Sequence, residues 1–245
     1  MKIMKILKKM NFLNYLKDIK KIFVYIFKKK KYEYCFFIEN EFHIKYLENY
    51  LKKKVLRNKK ILIFSLSKIN FNNIDTLYLQ TNFFREFFFL TVSVKKLFTT
   101  STNLNNSFFK KSLFSNVQYI YFQHSNISLL RNYEENAFHN FDVIQAINIF
   151  QYSELKEIRE KYNLKFKIFK SRYQLLNNLQ IIKPNKTKIY DFLIAPTWNS
   201  KFYEYAIHTQ FAEILLENKL NFLLRPHPMN IKNLDFEKLK KLHIP

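Results

Sequence analysis

No glycine occurs anywhere in these 245 residues, and cysteine and tryptophan occur once each. Without glycine, the Gly-rich phosphate cradles of Walker and dinucleotide-binding fingerprints are excluded in their usual form. Backbone positions that require positive φ must be met by Asn or Asp, the next most tolerant residues. Asn72–Asn73, Asn105–Asn106 and Asn177–Asn178 are the expected substitutes. The single cysteine, Cys35, excludes an internal disulfide and reads as a buried apolar filler. Histidines stand at 43, 124, 139, 208, 227 and 243, with no close ligand pair, so no zinc pattern is present and neither a metal nor an organic cofactor is implied. Long apolar runs are missing too. Ile22–Phe27 is bracketed by Lys20–Lys21 and Lys28–Lys31, too short to span a bilayer or to form a secretory core.

What fills the chain instead is Lys, Asn, Ile, Phe and Tyr. Drift toward AT-rich codons favours those residues and works against glycine, so the net charge of +23 need not by itself mean nucleic acid. Its distribution says more: residues 1–60 carry 18 Lys and Arg against 5 Asp and Glu, a balance of +13. A basic N-terminal quarter suits an anionic partner, either the inner membrane leaflet or a polyanion. Nucleic acid is the lesser reading. Its binding modules interleave exposed aromatics with Arg, whereas Phe83–Phe84 and Phe87–Phe89 read here as core. In residues 1–30, Ile3, Ile6, Leu7, Met10 and Leu13 share one helical face, with Lys2, Lys5, Lys8 and Lys9 opposite. That segment is either an interfacial amphipathic helix or a surface helix of the first domain. The expected location is cytoplasmic, with peripheral attachment to the inner face of the membrane as one possibility.

Strand and helix patterns alternate, which predicts an α/β fold. Strands are expected at 34–38, 60–65, 75–79, 96–100, 117–122, 142–146, 166–169, 190–195 and 221–224. Helices are expected at 42–54, 82–92, 152–162 and 201–218. Ile182–Lys186 breaks the alternation, giving domains at 31–183 and 184–245 behind the basic segment 1–30.

The chemistry sits at strand ends, where open α/β sheets present their binding loops. Tyr119–Asn126 delivers His124 and Ser125 just beyond a β-prone run, where an imidazole can accept a proton from an attacking hydroxyl; a satisfied loop histidine is the plainer reading. Proline, absent before Pro184, gathers with the only tryptophan in Ala195–Trp198 and Leu224–Pro228. Arg225, with His227 fixed between two prolines, suits a phosphate or diphosphate, each charge-assisted contact contributing about 1.5–3 kcal/mol. Thr197 adds a hydroxyl for an anion or an acceptor. A rigid turn and a Trp packed at a domain seam are the plainer readings of these two islands.

In order and content, the islands Gln123-His124-Ser125, Phe141–Ile144, Ile194–Asn199 and Leu224–Pro228 resemble the CDP-glycerol glycerophosphotransferases, the teichoic-acid primases and polymerases and related capsule transferases. The resemblance covers roughly residues 115–230. It implies a GT-B-like architecture: a Rossmann-like N-terminal domain facing the start of a second Rossmann-like domain, bound peripherally to the inner membrane. It implies that His124-Ser125 takes the place of the family's His-Gly motif, with the histidine as catalytic base. Ala195–Asn199 matches its Ala-Pro-Thr-Trp-Arg run, and Arg225–Pro228 its phosphate-contacting Lys-Pro-His-Pro run. The implied partners are a CDP-activated polyol donor and a surface-polymer acceptor. Ser125 replaces a glycine, Asn199 an arginine, and Ser171-Arg172 stands at a usual glycine turn. The family's Asp/Ser-rich nucleotide loop has no counterpart before Pro245, so a truncated second domain is expected. Two alternatives stay open: an inactive remnant or interaction protein of the same fold, and a GT-B sugar transferase for lipopolysaccharide or capsule.

Overall fold

The computed structural model describes residues 2–27, 31–51, 59–69, 71, 73–173, 190–195, 214–215 and 217–225, with the backbone alone at 2–11, 48, 49 and 224. The chain divides into two compact units, Met1–Gln180 and Ile181–Pro245.

The first unit is a seven-stranded sheet, entirely parallel, formed by β1 (Tyr34–Ile38), β2 (Ile61–Ser65), β3 (Asp75–Tyr78), β4 (Lys96–Thr99), β5 (Gln118–Tyr121), β6 (Val143–Ala146) and β7 (Lys167–Lys170). Their order is β3-β2-β1-β4-β5-β6-β7. The chain therefore winds outward from β1 in one direction and returns to continue from β4 in the other. This is the Rossmann-like, doubly wound arrangement, with its topological switch point between β1 and β4.

Side-chain alternation splits the sheet into two buried faces. Cys35, Phe37, Leu62, Phe64, Tyr119 and Tyr121 point to one, and Phe36, Ile38, Ile61, Ile63, Ile120 and Phe122 to the other. Both faces are covered, so the central strands read as continuous apolar runs. On the first face α1 (Lys2–Phe27) and α3 (Asn82–Thr91) pack over an aromatic cluster in which Phe64 lies 4.3 Å from Phe88 and 5.0 Å from Phe89. Leu47 and Leu51 of α2 (Ile44–Leu51) close the second face. Cys35 is fully buried, and burial pushes its thiol pKa up.

Polar side chains set several boundaries. Asn40 accepts from the Phe42 N–H at 3.0 Å, so the expected helix at 42–54 opens as a 3-10 turn, Glu41–His43, before α2. Asn148 accepts from the Gln151 N–H at 2.8 Å and starts α5 at Ile149, ahead of the expected Tyr152. The short α4 (Leu129–Asn132) is capped by Ser128. Positive φ falls on Asn73, Asn103, Asn105 and Asn163, as the missing glycines require, but also on Ser107 and Lys219; Asn177–Asn178 lies outside the described residues.

α1 is clasped to this unit by Asp18, which is fully buried. Its Oδ2 accepts from the Gln80 N–H (2.9 Å), the Thr81 N–H (2.8 Å) and the Thr81 hydroxyl (2.9 Å). Thr81 is the N-cap of α3 but makes no side-chain cap bond of its own, so a carboxylate from α1 serves the amides at that helix start. From Phe12 to Phe27 the opposite side of α1 is apolar and uncovered: Phe12, Leu16, Phe23 and Phe27 are exposed. Phe83 and Phe87 of α3 are exposed too, which corrects their expected place in the core; only Phe88 and Phe89 of that run are fully buried. The expected apolar face from Ile3 to Met10 lies outside the described side chains. Among the described residues, no helix is long and apolar enough to cross a membrane.

In the second unit β8 (Phe192–Ile194) pairs in parallel with β9 (Phe222–Leu224). Leu215 and Phe222 form its small core with Ile194 and Leu220. A Leu220 N–H to Leu215 carbonyl bond of 3.0 Å closes the preceding helical turn, with Lys219 at φ 55° where glycine is usual.

Candidate active site

β5 runs out at Tyr121, and the next three residues carry the chain past the sheet's carboxyl edge. The Phe122 N–H bonds the Thr99 carbonyl at 2.7 Å, extending the β4–β5 ladder by one step. Gln123 is buried and exchanges two bonds with Gln145 of β6: its N–H to Oε1 at 3.0 Å, and its Nε2 to the Gln145 carbonyl at 3.1 Å. His124 is thus held at a defined height above the strand ends.

The His124 ring meets the end of β4. Its Nδ1 lies 3.1 Å from the Thr100 carbonyl. A carbonyl only accepts, so Nδ1 carries the proton and Nε2 is the basic nitrogen of the neutral ring. The Thr100 hydroxyl in turn lies 2.9 Å from Nδ1 of His43, in the turn after β1. The two imidazoles stack with centroids 4.7 Å apart and an interplanar angle of 27°. Tyr46 of α2 stands 6.2 Å from both rings, Tyr133 meets His124 edge-on at 6.5 Å, and the Tyr173 hydroxyl donates to the His124 carbonyl at 3.0 Å.

This packing decides the charge state. Burial lowers the pKa of His124 below the ordinary 6.5, opposed by its bond to the Thr100 carbonyl and by the charge of Glu39. Burial takes His43 further, to about 4, helped by His124 and by Lys45. Two stacked imidazoles cannot both be charged without repulsion in a partly desolvated place. At neutral pH both are neutral. Burial also pushes the Tyr173 phenol upward, reinforced by its bond to Tyr46. The arrangement is that of an uncharged imidazole base among aromatic and hydroxyl groups.

Of the residues expected from the sequence, His124 and Ser125 stand together here. Ser125 is not among the positive-φ residues, so the exchange for a glycine strains no backbone at that point; its Oγ is buried without a hydrogen-bond partner. Ser171, at the other expected glycine position, bonds the Ala146 carbonyl at 2.9 Å and is likewise not at positive φ. Arg225 belongs to the second unit, where its N–H donates to the Ile194 carbonyl at 2.8 Å and the residue is exposed. Thr197 and His227 lie outside the described residues. Among the described residues, no three His, Cys, Asp or Glu side chains gather as a metal-holding group.

His43, Tyr46, Thr100, Tyr133 and Tyr173 were not singled out by sequence reasoning. No local signal marks them. His43, Tyr46 and Thr100 become adjacent to His124 through strand order, which brings the ends of β1, β4 and β5 side by side, while Tyr133 follows β5 itself and Tyr173 arrives from beyond β7.

No protein-family model matches the chain, and no curated protein sequence matches it. Solved structures do. A histidine-to-alanine variant of the wall teichoic acid polymerase TagF superposes with a TM-score of 0.54 at 13% identity, over 94% of this chain and 68% of that one. A histidine-to-asparagine variant gives 0.53 at 13% identity over 92% and 67%, and the same variant soaked with CDPG for 30 minutes gives 0.51 at 12% identity over 94% and 67%. At such identity the likeness is one of fold: an α/β chain of Rossmann-like, GT-B type, similar to the wall teichoic acid polymerase TagF.

Proposed function

We propose that this chain is a CDP-glycerol glycerophosphotransferase-like transferase, moving a polyol phosphate from a CDP-activated donor to a hydroxyl acceptor in the synthesis of a cell-surface polymer, teichoic acid or capsule. The observation that carries the reading is the neutral, Nδ1-protonated His124 at the carboxyl end of β5, beside the switch point of a sheet whose solved structural neighbours are teichoic-acid polymerases.

In the proposed reaction Nε2 of His124 takes the proton of the acceptor hydroxyl. The acceptor oxygen bonds to the β-phosphorus of the donor as the bond from that phosphorus to the bridging oxygen breaks, and CMP leaves with the electron pair. Ser125 and Thr197 contact the substrates, while Arg225 and His227, on the 184–245 domain, stabilise the charge building on the phosphates. The site lies in the cytoplasm and the chain rests on the inner membrane surface. The uncovered apolar side of α1, with Lys17 and Lys20 on the same helix and its only acid, Asp18, buried in the clasp, supports that attachment.

CMP release from CDP-glycerol, with a polyol-phosphate acceptor present, tests the assignment. His124→Ala should lower turnover by about 10²–10⁴-fold, the usual range for losing a general base. Unchanged release removes His124 from the reaction. Equal binding of nucleotide sugars and CDP-glycerol by calorimetry would instead favour the sugar-transferase alternative.

A further inference from the structure

At the carboxyl ends of β1 and β4 lies a cavity of about 340 Å³. Its position is the switch-point crevice, where open α/β sheets take their ligands. Phe37 and Phe109 give it apolar walls, and Glu39, Ser101, Asn103 and Ser107 give it polar ones. Ser101 is 7% exposed. Its N–H is satisfied by the Thr99 hydroxyl at 2.9 Å, but its own Oγ has no hydrogen-bond partner. Asn103 donates from Nδ2 to Glu134 at 3.4 Å, while its Oδ1 is likewise buried and unpartnered. Buried polar atoms without partners are uncommon in folded proteins, and each calls for a reason. Two of them belong to residues on the wall of one ligand-sized cavity, where a turn of either side chain brings its unpartnered atom to an occupant.

The lining also states the chemistry of that occupant. It contains hydroxyls, amides and one carboxylate, but no lysine or arginine. A phosphate or diphosphate would find no cation there and would be repelled by Glu39. A neutral polyol fits every group: its hydroxyls donate to Glu39 and Asn103 Oδ1, one accepts from Ser101 Oγ, and its C–H edges lie against Phe37 and Phe109. Ser101 follows Thr100, whose carbonyl lies 3.1 Å from His124 Nδ1, and this ties the cavity wall to the histidine; the charge of Glu39 also acts on His124.

We infer that this cavity is the acceptor subsite: it receives the uncharged polyol terminus of the growing polymer and sets a terminal hydroxyl beside His124. The inference rests on the transferase reading above and deepens it. The phosphate groups of donor and polymer bind elsewhere, and Ser101 and Asn103 position the acceptor without taking part in proton transfer.

Saturation-transfer NMR on the full chain tests this, with glycerophosphoglycerol as the probe and CDP-glycerol in a parallel tube. Wild type should transfer saturation to the terminal glycerol protons of the probe, and CDP should not displace it. Ser101→Ala keeps the cavity and removes one hydrogen bond, so binding should weaken by about 3- to 10-fold. Ser101→Leu fills the space and should abolish the signal, with CDP-glycerol binding retained as proof of folding. Undiminished probe binding in Ser101→Ala, or displacement by CDP, overturns the subsite while leaving the transferase reading intact. Donor binding without probe binding does the same. Binding of neither ligand overturns both.

Discussion

Acidification should expose the neutral histidine pair. The native state accommodates His43 only as the uncharged ring, with a pKa of about 4 against the ordinary 6.5. Above pH 6.5 the imidazole is neutral whether the chain is folded or not, and its burial does not oppose folding. As pH falls from 6.5 toward 4, the unfolded chain binds a proton that the folded chain refuses, so stability declines through that window and levels off below it. At about 1.36 kcal/mol per pH unit, the gap sets a ceiling of about 3 kcal/mol. His43 keeps some contact with solvent, and screening brings the expected loss to about 2 kcal/mol. His124 shifts in the same direction and adds to it. Urea denaturation at pH 7 and pH 4.5, on wild type and on His43→Gln, isolates the effect from the carboxylates that titrate nearby. Wild type should lose about 2 kcal/mol more than the variant between the two pH values. In parallel, the His43 Cε1–H resonance should titrate near pH 4 and that of His124 below 6.5. A His43 midpoint at or above 6.5, or equal losses in the two proteins, refutes the buried stack.

Asp18→Ala removes the carboxylate that serves two amides and a hydroxyl at the start of α3. It should cost about 2–4 kcal/mol in urea unfolding and speed amide exchange throughout α1, whereas a loss under about 0.5 kcal/mol would show that α1 is held by its apolar contacts alone. Phe23 and Phe27 stack at 5.3 Å on the uncovered side of α1. Replacing both with Glu should end co-flotation with phosphatidylglycerol vesicles at low salt, and co-flotation as strong as wild type would detach this face from membrane binding.

The sheet was legible because its strands are short apolar runs buried on both faces, and such runs signal themselves in one dimension. Tyr34–Ile38 and Ile61–Ser65 fall where that pattern puts them. Helix starts were less so, since a single side chain moves them: Asn40 and Asn148 each turn the chain where periodicity says nothing. The Phe83–Phe89 run misled for a related reason. Seven consecutive positions of a helix cannot all face one way, and in α3 the core takes Phe88 and Phe89 while Phe83 and Phe87 look outward.

The missing glycines sharpen the same contrast. Left-handed backbone was expected at Asn pairs, and Asn73 and Asn105 adopt it. Ser107 and Lys219 adopt it as well, at about 1–2 kcal/mol each in local strain, because closing a loop or ending a helix left no other geometry. Ser107 lies on the wall of the switch-point cavity, so part of that strain is held where a ligand would be held. His124 stood out in the sequence because a strand delivers it; His43 did not, because nothing near it in the chain hints at a second ring. Their stacking is a consequence of β1 lying beside β4 and β4 beside β5. A residue placed by its own strand can be read locally. A residue that matters through its neighbours' strands can be read only after the strand order is known, and at a switch point most of the site is of that second kind.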